Sequence, residues 1–431
     1  MEQKTFEAEG QWWIPGSSKK QLGVISIDFG KEILLKLYDF VERSNIEVLK
    51  EQETPFVNVM WGQSGREITL FKGTPVSGHT STTYKKTLSS FTYAFIGKHF
   101  RTLDEIKFKD VVVYCSNVDK WLSERAINNK HFLKNVLDGK QEVEQISIFN
   151  NKIFNVSLVF GFDYSVNRDE CKILKLNGIS IEGVDNKEIM FKDVLGLISE
   201  LAQFFSLMMN IPVFPMSIKG RTIENEEIEI YYRVSGYSPS IVKRSPITPT
   251  LNDVKPNIND MISKWLEFKK EEYEPAYDLI STITYHFYNE NLYVLFTLLF
   301  ETFNAYNKLN SEILTLGNIN GAISYEAKIA MGIFEKYKNI TGHELNISDI
   351  TKDIPEINNT LRLANTISDL RNSLSHASFA GRNNPDYRIT AKKVYRAPSA
   401  MDEVNCKMFH VLRILLLSDL GLNKDALNKE V

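Results

Sequence analysis

The sequence predicts an α+β protein: a β-rich N-terminal domain over residues 1–235, a Pro-rich linker over 236–257, and an all-α helical bundle over 258–431. Three observations predict it. Up to residue 235 the apolar residues come in short β-branched and aromatic runs bounded by Gly, Pro, Ser and Asp, the punctuation of strands and turns. Between 236 and 257, Pro239, Pro246, Pro249 and Pro256 stand among Ser, Thr and Asn, and no periodicity crosses the stretch. Beyond it, apolar residues recur every three or four positions to the end of the chain.

In order along the chain, GQWWIPG (Gly10–Gly16) reads as a Trp-rich turn in which Trp12 and Trp13 are core or edge-covering aromatics. Leu22–Phe29 and Ile33–Phe40 form a hairpin turning at Gly30-Lys31, and Phe56–Met60 and Ile68–Lys72 a second around the loop GQSGRE. Phe91–Ile96, Val111–Tyr114, Ile146–Phe149 and Phe154–Phe160 are further strands, and Cys171–Leu176 pairs with Ile179–Ile181. Phe191–Met209 has helical periodicity and stops before Pro212, as a lateral helix on a sheet would. The second domain holds helices at Ile258–Lys270, Pro275–Asn289, Leu292–Leu309, Ala322–Asn339, Pro355–Ala377 and Ala400–Leu420. Ser399 with Asp402 is the cap of the last, and Gly421 its stop.

The composition, 43% hydrophobic and 24% charged, is that of a globular protein, and a formal charge of −3 gives no global nucleic-acid signature. Any contact with RNA has to come from a local patch. Cys115, Cys171 and Cys406 show neither Cys-x-x-Cys spacing nor a disulfide framework, which fits a reducing, cytoplasmic setting. No leader pattern opens the chain and no apolar run is long enough for a bilayer, so no membrane partner is expected.

Pro355–Ala377 is the stretch around which the second domain is organised. Ile357, Leu361, Ala364, Ile367, Leu370, Leu374 and Ala377 give one apolar stripe, with Pro355 suited to the first turn. Its end carries Arg371, Asn372 and His376, and the four-residue spacing puts Asn372 and His376 on one face. RNA cleavage without a metal needs a group that moves protons near neutral pH and a fixed positive charge. His376 titrates near neutral pH and can move protons, and Arg371 offers permanent charge and a forked donor to phosphate oxygens. Asn372 can orient the imidazole or bind a phosphate oxygen by its amide. The bland reading is that Arg and His cations simply lie near the carbonyls of a helix end.

Just past this motif, GRNNPDYRITAKKVYR holds Arg382, Arg388, Lys392, Lys393 and Arg396 against one acid, Asp386, with Tyr387 and Tyr395 interleaved. As a loop it has charge for phosphates and rings for bases, the needs of a single-stranded RNA path; its bland reading is a solvated surface loop.

RNSLSH, Arg371–His376, resembles the Arg-x4-6-His motif of HEPN ribonucleases, including a polar residue directly after the Arg and an exit from the helix at Ala377–Gly381. A second spacing match, Arg125–His131, lies in an Asn-rich stretch without an apolar stripe and is attributed to chance. GQWWIPG followed by GVISIDFG, and the later Met209-Asn-Ile-Pro-Val, resemble the N-terminal domain of ApeA-like anti-phage proteins. The order of a β-rich domain and then a helical bundle is similar to that architecture too.

The two resemblances imply a HEPN-type bundle acting as a metal-independent endoribonuclease in abortive infection, with Arg371, Asn372 and His376 catalytic. They imply products with 2′,3′-cyclic phosphate and 5′-OH ends, and a homodimer whose motifs face each other across one groove. The N-terminal domain is then a sensing or restraining element responsive to a phage-derived trigger. The alternatives are a HEPN-like module that binds RNA or protein without cutting, and a dimerisation scaffold.

Other constellations carry less. No His pair has metal-ligand spacing, so neither a metal site nor a cofactor is expected, and KGTPVSGHT lacks the ending of a phosphate loop. Glu301, within an apolar helix, either partners a basic group near the motif or sits on the polar margin of its stripe. His410 reads as packing.

Overall fold

The structure, a computed structural model, describes residues 5–28, 30–40, 57–80, 84–118, 121, 144–160, 162–166, 171–175, 178–234, 249–268, 291–376 and 385–429. The chain divides into two compact units, Met1–Ala202 with Val213–Lys243, and Gln203–Pro212 with Arg244–Val431. The first is β-rich and the second helical.

In the first unit, β1 (Thr5–Trp13), β2 (Gln21–Asp28), β3 (Glu32–Phe40), β4 (Val57–Ser64), β5 (Arg66–Thr80) and β6 (Tyr84–Ser90) close into an antiparallel ring. Its order is β1-β2-β3-β6-β5-β4 and back to β1. The ring closes where Gln11–Trp13 pair with Trp61–Gln63, which removes the sheet edge there. Alternate residues fill the interior, among them Trp12, Ile25, Ile27, Ile33, Leu35, Met60, Leu70 and Phe91. Trp12 is fully buried, and a Cβ on Gly62 would lie 2.3 Å from its ring, so that position has to be glycine for the indole to fit.

Because β5 is fifteen residues long, its first half can pair elsewhere. It carries β7 (Tyr93–Ile96) along Ile68–Phe71. From there β8 (Asp110–Cys115), β9 (Glu144–Asn150), β10 (Phe154–Phe160), β11 (Gly178–Gly183), β12 (Pro215–Arg221) and β13 (Glu227–Tyr232) extend the sheet in the order β7-β13-β12-β8-β11-β10-β9. The helix α1 (Phe191–Met209) sets Phe191 edge-on to Tyr93 at 5.6 Å and to Phe95 at 5.0 Å. Its residues from Gln203 onward belong to the second unit.

Several sequence expectations change here. The Trp-rich turn is strand as far as Trp13. The second hairpin turns on Gly65 alone, at φ 69°, with Ser64 opposite Arg66, so most of GQSGRE is strand. Cys171–Lys175 pairs with Phe162–Val166 and not with Ile179–Ile181. That last segment lies in β11, between β10 and β8, where a central strand can bury Ile179, Ser180 and Ile181 together.

The second unit contains α2 (Leu251–Val254), α3 (Ile258–Phe268), α4 (Leu292–Leu309), α5 (Glu312–Ile319), α6 (Tyr325–Thr341), α7 (Ser348–Asp353), α8 (Thr360–Ser375), α9 (Pro385–Arg396), α10 (Pro398–Leu420) and α11 (Lys424–Asn428). The helix α2, capped reciprocally by Thr250 and Asp253, lies within the expected linker. The expected helix at Pro275–Asn289 and the second motif match at Arg125–His131 lie outside the described residues.

The spine is α10 rather than α8: from Val411 to Leu417 every residue is buried, and the helix packs on α3, α4, α6, α7, α9 and α11. It begins at Pro398, which needs no N–H partner in a first turn, and Ser399 donates to Asp353 at 2.6 Å instead of capping it. Arg413, also fully buried, turns to the end of α1, its Nε donating to the Leu207 carbonyl and its Nη2 to that of Met208, both at 2.8 Å.

Candidate active site

The helix that carries the motif starts at Thr360, five residues after the expected Pro355, because the Asn359 side chain accepts the Arg362 N–H at 2.8 Å and caps it there. Ile357 is still fully buried, but from the turn that precedes the helix. Leu363, Ala364, Ile367 and Leu370 give the buried stripe that fixes the rotation of α8.

Arg371 and Asn372 lie in the last turns of α8, and His376 is the residue at which it ends. The His376 N–H donates to the Asn372 carbonyl at 3.1 Å. Asn372 is half-buried and His376 exposed. The expected exit over Ala377–Gly381 lies outside the described residues. The negative end of the helix dipole faces this turn and favours cations there.

Arg371 reaches across to α4. Its Cζ lies 5.8 Å from the centre of the Phe300 ring, and its Nη2 is 4.0 Å from Glu301 Oε1. Its Nε is shielded from solvent and meets no acceptor among the described residues. The other oxygen of Glu301, Oε2, accepts from Asn304 Nδ2 at 3.3 Å. Glu301 thus stands on the polar margin of an apolar helix and also faces a basic group at the motif. The signal in the sequence was the lone carboxylate itself, since periodicity cannot say which helix a margin residue faces.

The basic stretch past the motif is helix and not loop. Pro385 opens α9 rather than breaking a chain, and Thr390, Ala391 and Val394 bury one face. Arg388, Lys392 and Arg396, four apart, share a stripe of which Lys392 and Arg396 are exposed. Lys393 pairs with Glu356, and Arg382 lies outside the described residues. The interleaved rings are already engaged. Tyr387 lies 5.0 Å from the Arg362 guanidinium, and Tyr395 packs on Tyr293 at 4.8 Å, whose hydroxyl donates to the Tyr395 carbonyl at 3.0 Å.

These contacts also give the direction of α9. Tyr387 is level with Arg362 and Lys393 with Glu356, so α9 runs opposite to α8, alongside its N-terminal half. Fourteen residues separate Arg362 from His376, about 20 Å at 1.5 Å per residue. Arg371, Asn372 and His376 thus share the C-terminal end of α8, whereas the α9 cations stand alongside its N-terminal half.

His410 is packing, as its sequence context predicts. Its Nε2 lies 3.3 Å from the Tyr337 hydroxyl, and burial, helped by the charges of Arg413 and Lys407, lowers its pKa to about 4. Burial also pushes the Tyr337 phenol up to about 12 and the Cys115 thiol to about 12. Among the described residues no group of three His, Cys, Asp or Glu is arranged to hold a metal ion, and no helix is long and apolar enough to cross a membrane.

A family model described as ApeA N-terminal domain 1 matches residues 7–265, more than half of the chain, and ends before the helices that carry Glu301, Arg371 and His376. No curated protein and no solved structure matches the chain.

Proposed function

Because the chain belongs to the ApeA N-terminal domain 1 family, that of ApeA-like defence proteins, we propose that its helical unit is a HEPN-type, metal-independent endoribonuclease acting in anti-phage abortive infection. The observation that carries this reading is the end of α8, where Arg371, Asn372 and His376 stand within six residues and His376 is open to solvent.

The reaction is attack of a ribose 2′-oxygen on the adjacent phosphorus. An imidazole of His376 takes the 2′-OH proton as the O2′–P bond forms. A second proton donor protonates the 5′-oxygen as the P–O5′ bond breaks, leaving a 2′,3′-cyclic phosphate and a 5′-OH. A homodimer that faces two motifs across one groove supplies that second imidazole. Arg371 balances the charge that builds on the non-bridging oxygens, and Asn372, on the His376 face, orients the ring or the phosphate. Lys392 and Arg396, with Arg388 and Lys393, hold the strand farther along, with Arg382 as the further basic residue of that stretch of sequence. The β-rich unit restrains the site until a phage-derived trigger is sensed.

The test is cleavage of total RNA in EDTA by the parent chain beside Arg371→Ala and His376→Ala. The expected result is cyclic phosphate ends from the parent and a loss of rate of about 100-fold or more in each variant. Cutting that persists in both variants removes this site assignment. RNA binding without cutting, unchanged by His376→Ala, supports a binding module instead.

A further inference from the structure

Among the described residues, the charged group within ion-pair distance of Arg371 is an acid. Glu301 Oε1 lies 4.0 Å from Nη2, beyond hydrogen-bond reach, so the carboxylate offsets the charge of the guanidinium without satisfying its donors. Nη2 belongs to both donor forks of a guanidinium, the one it makes with Nε and the one it makes with Nη1. Nε is shielded from solvent, so the fork that a phosphate can approach is that of Nη1 and Nη2, and there it meets Glu301. The two side chains keep 32% and 48% of their surface exposed.

The guanidinium has a second neighbour besides Glu301: Phe300 lies against it at 5.8 Å and is itself fully buried. Glu301 in turn is held by Asn304 through Oε2, which leaves Oε1 directed at Arg371.

We propose that Glu301 is a resident counter-ion of Arg371 that an RNA phosphate has to displace, so that its charge sets the affinity of this site for RNA. The identity of the incoming phosphate rests on the nuclease reading above. In the empty site Glu301 offsets the one permanent cation of the motif; in the occupied site it opposes the phosphate. It acts against binding, not in the chemistry. Glu301→Gln removes the charge while keeping the length of the side chain and an oxygen for Asn304.

The experiment uses the full chain and a single-stranded RNA oligonucleotide whose 2′-oxygens are methylated, which keeps its phosphates and cannot be cut. Affinity is read by fluorescence anisotropy for the parent, Glu301→Gln, Arg371→Ala and the double variant. The expected result is binding tightened about 3- to 5-fold by Glu301→Gln, as for a partly exposed charge contact, and no such gain when Arg371 is already alanine. Glu301→Gln binding as the parent does, or more weakly, overturns the proposal, as does an equal gain with and without Arg371. Arg371→Ala binding as tightly as the parent removes the RNA site from Arg371, the failure of the nuclease reading itself. A weakened Arg371→Ala beside an unchanged Glu301→Gln removes only the counter-ion.

Discussion

Arg413 donates from its Nε to the carbonyl of Leu207 at 2.8 Å, a bond between residues 206 positions apart. With its second bond to Met208 it meets the unpaired carbonyls at the end of α1 with a positive charge, in a place closed to water. Arg413→Met leaves both carbonyls without that partner and should cost about 3 kcal/mol, read as a lower midpoint of urea unfolding. Arg413→Lys, which lacks the fork, should recover only part.

His410 predicts an acid limb in the stability curve. Its folded pKa of about 4 lies below the ordinary 6.5. As pH falls from about 6.5 the unfolded chain takes up a proton that the folded chain refuses until about 4. The stability present at neutral pH is therefore lost across that window, up to ~3 kcal/mol. His410→Leu should flatten this part of the curve, and an unchanged slope between pH 4 and 6.5 would contradict the assignment.

In the barrel, Gly62→Ala drives a methyl into the indole of Trp12. The expected loss is about 1–3 kcal/mol, the usual cost of overpacking. Adding Trp12→Phe makes room and should return part of it in the same unfolding assay, which an effect confined to the backbone at residue 62 would not do.

On the nuclease function proposed above, the distance between the motif and α9 predicts a dependence on substrate length. About 20 Å corresponds to roughly six stacked nucleotides at ~3.4 Å each. Lys392→Glu with Arg396→Glu should leave cleavage of a four-nucleotide RNA unchanged and slow that of a twenty-nucleotide RNA about tenfold at low salt. Equal slowing of both lengths would place the helix at the site of reaction.

How far the sequence could be read depended on whether one local signal settled the matter. Phe191–Met209 and Leu292–Leu309 have the bounds their periodicity predicts, because a long apolar stripe has few competitors. The order of a β-rich region before a helical one was legible for the same reason. The strand ending at Trp13 was not, since Gly10 reads as a turn; the structure needs glycine there because a Cβ would sit 2.4 Å from the Gln63 carbonyl. The basic stretch past the motif read as a loop and is a helix from Pro385, and the last long helix starts at Pro398, two residues before the expected Ala400. The Arg371, Asn372 and His376 turn could be drawn from spacing alone. That Arg371 faces Glu301, and that the α9 cations stand far from His376, are facts about which helix lies beside which, and periodicity within one helix does not contain them.

One helix makes the two halves of this protein a joint inheritance. Phe191–Ala202 of α1 belongs to the β-rich unit, and the residues from Gln203 to Pro212, with Phe204 edge-on to Trp265 at 6.3 Å, belong to the helical one. A cut at the Pro-rich stretch, where the sequence shows its seam, would therefore take from the helical unit a piece of its own interior and leave Arg413 without its carbonyls. Recombination at that seam could not exchange one β-rich region for another unless the incoming gene carried a helix already fitted to the recipient's core. The boundary at which the chain can be read and the boundary at which it can be traded are two different places.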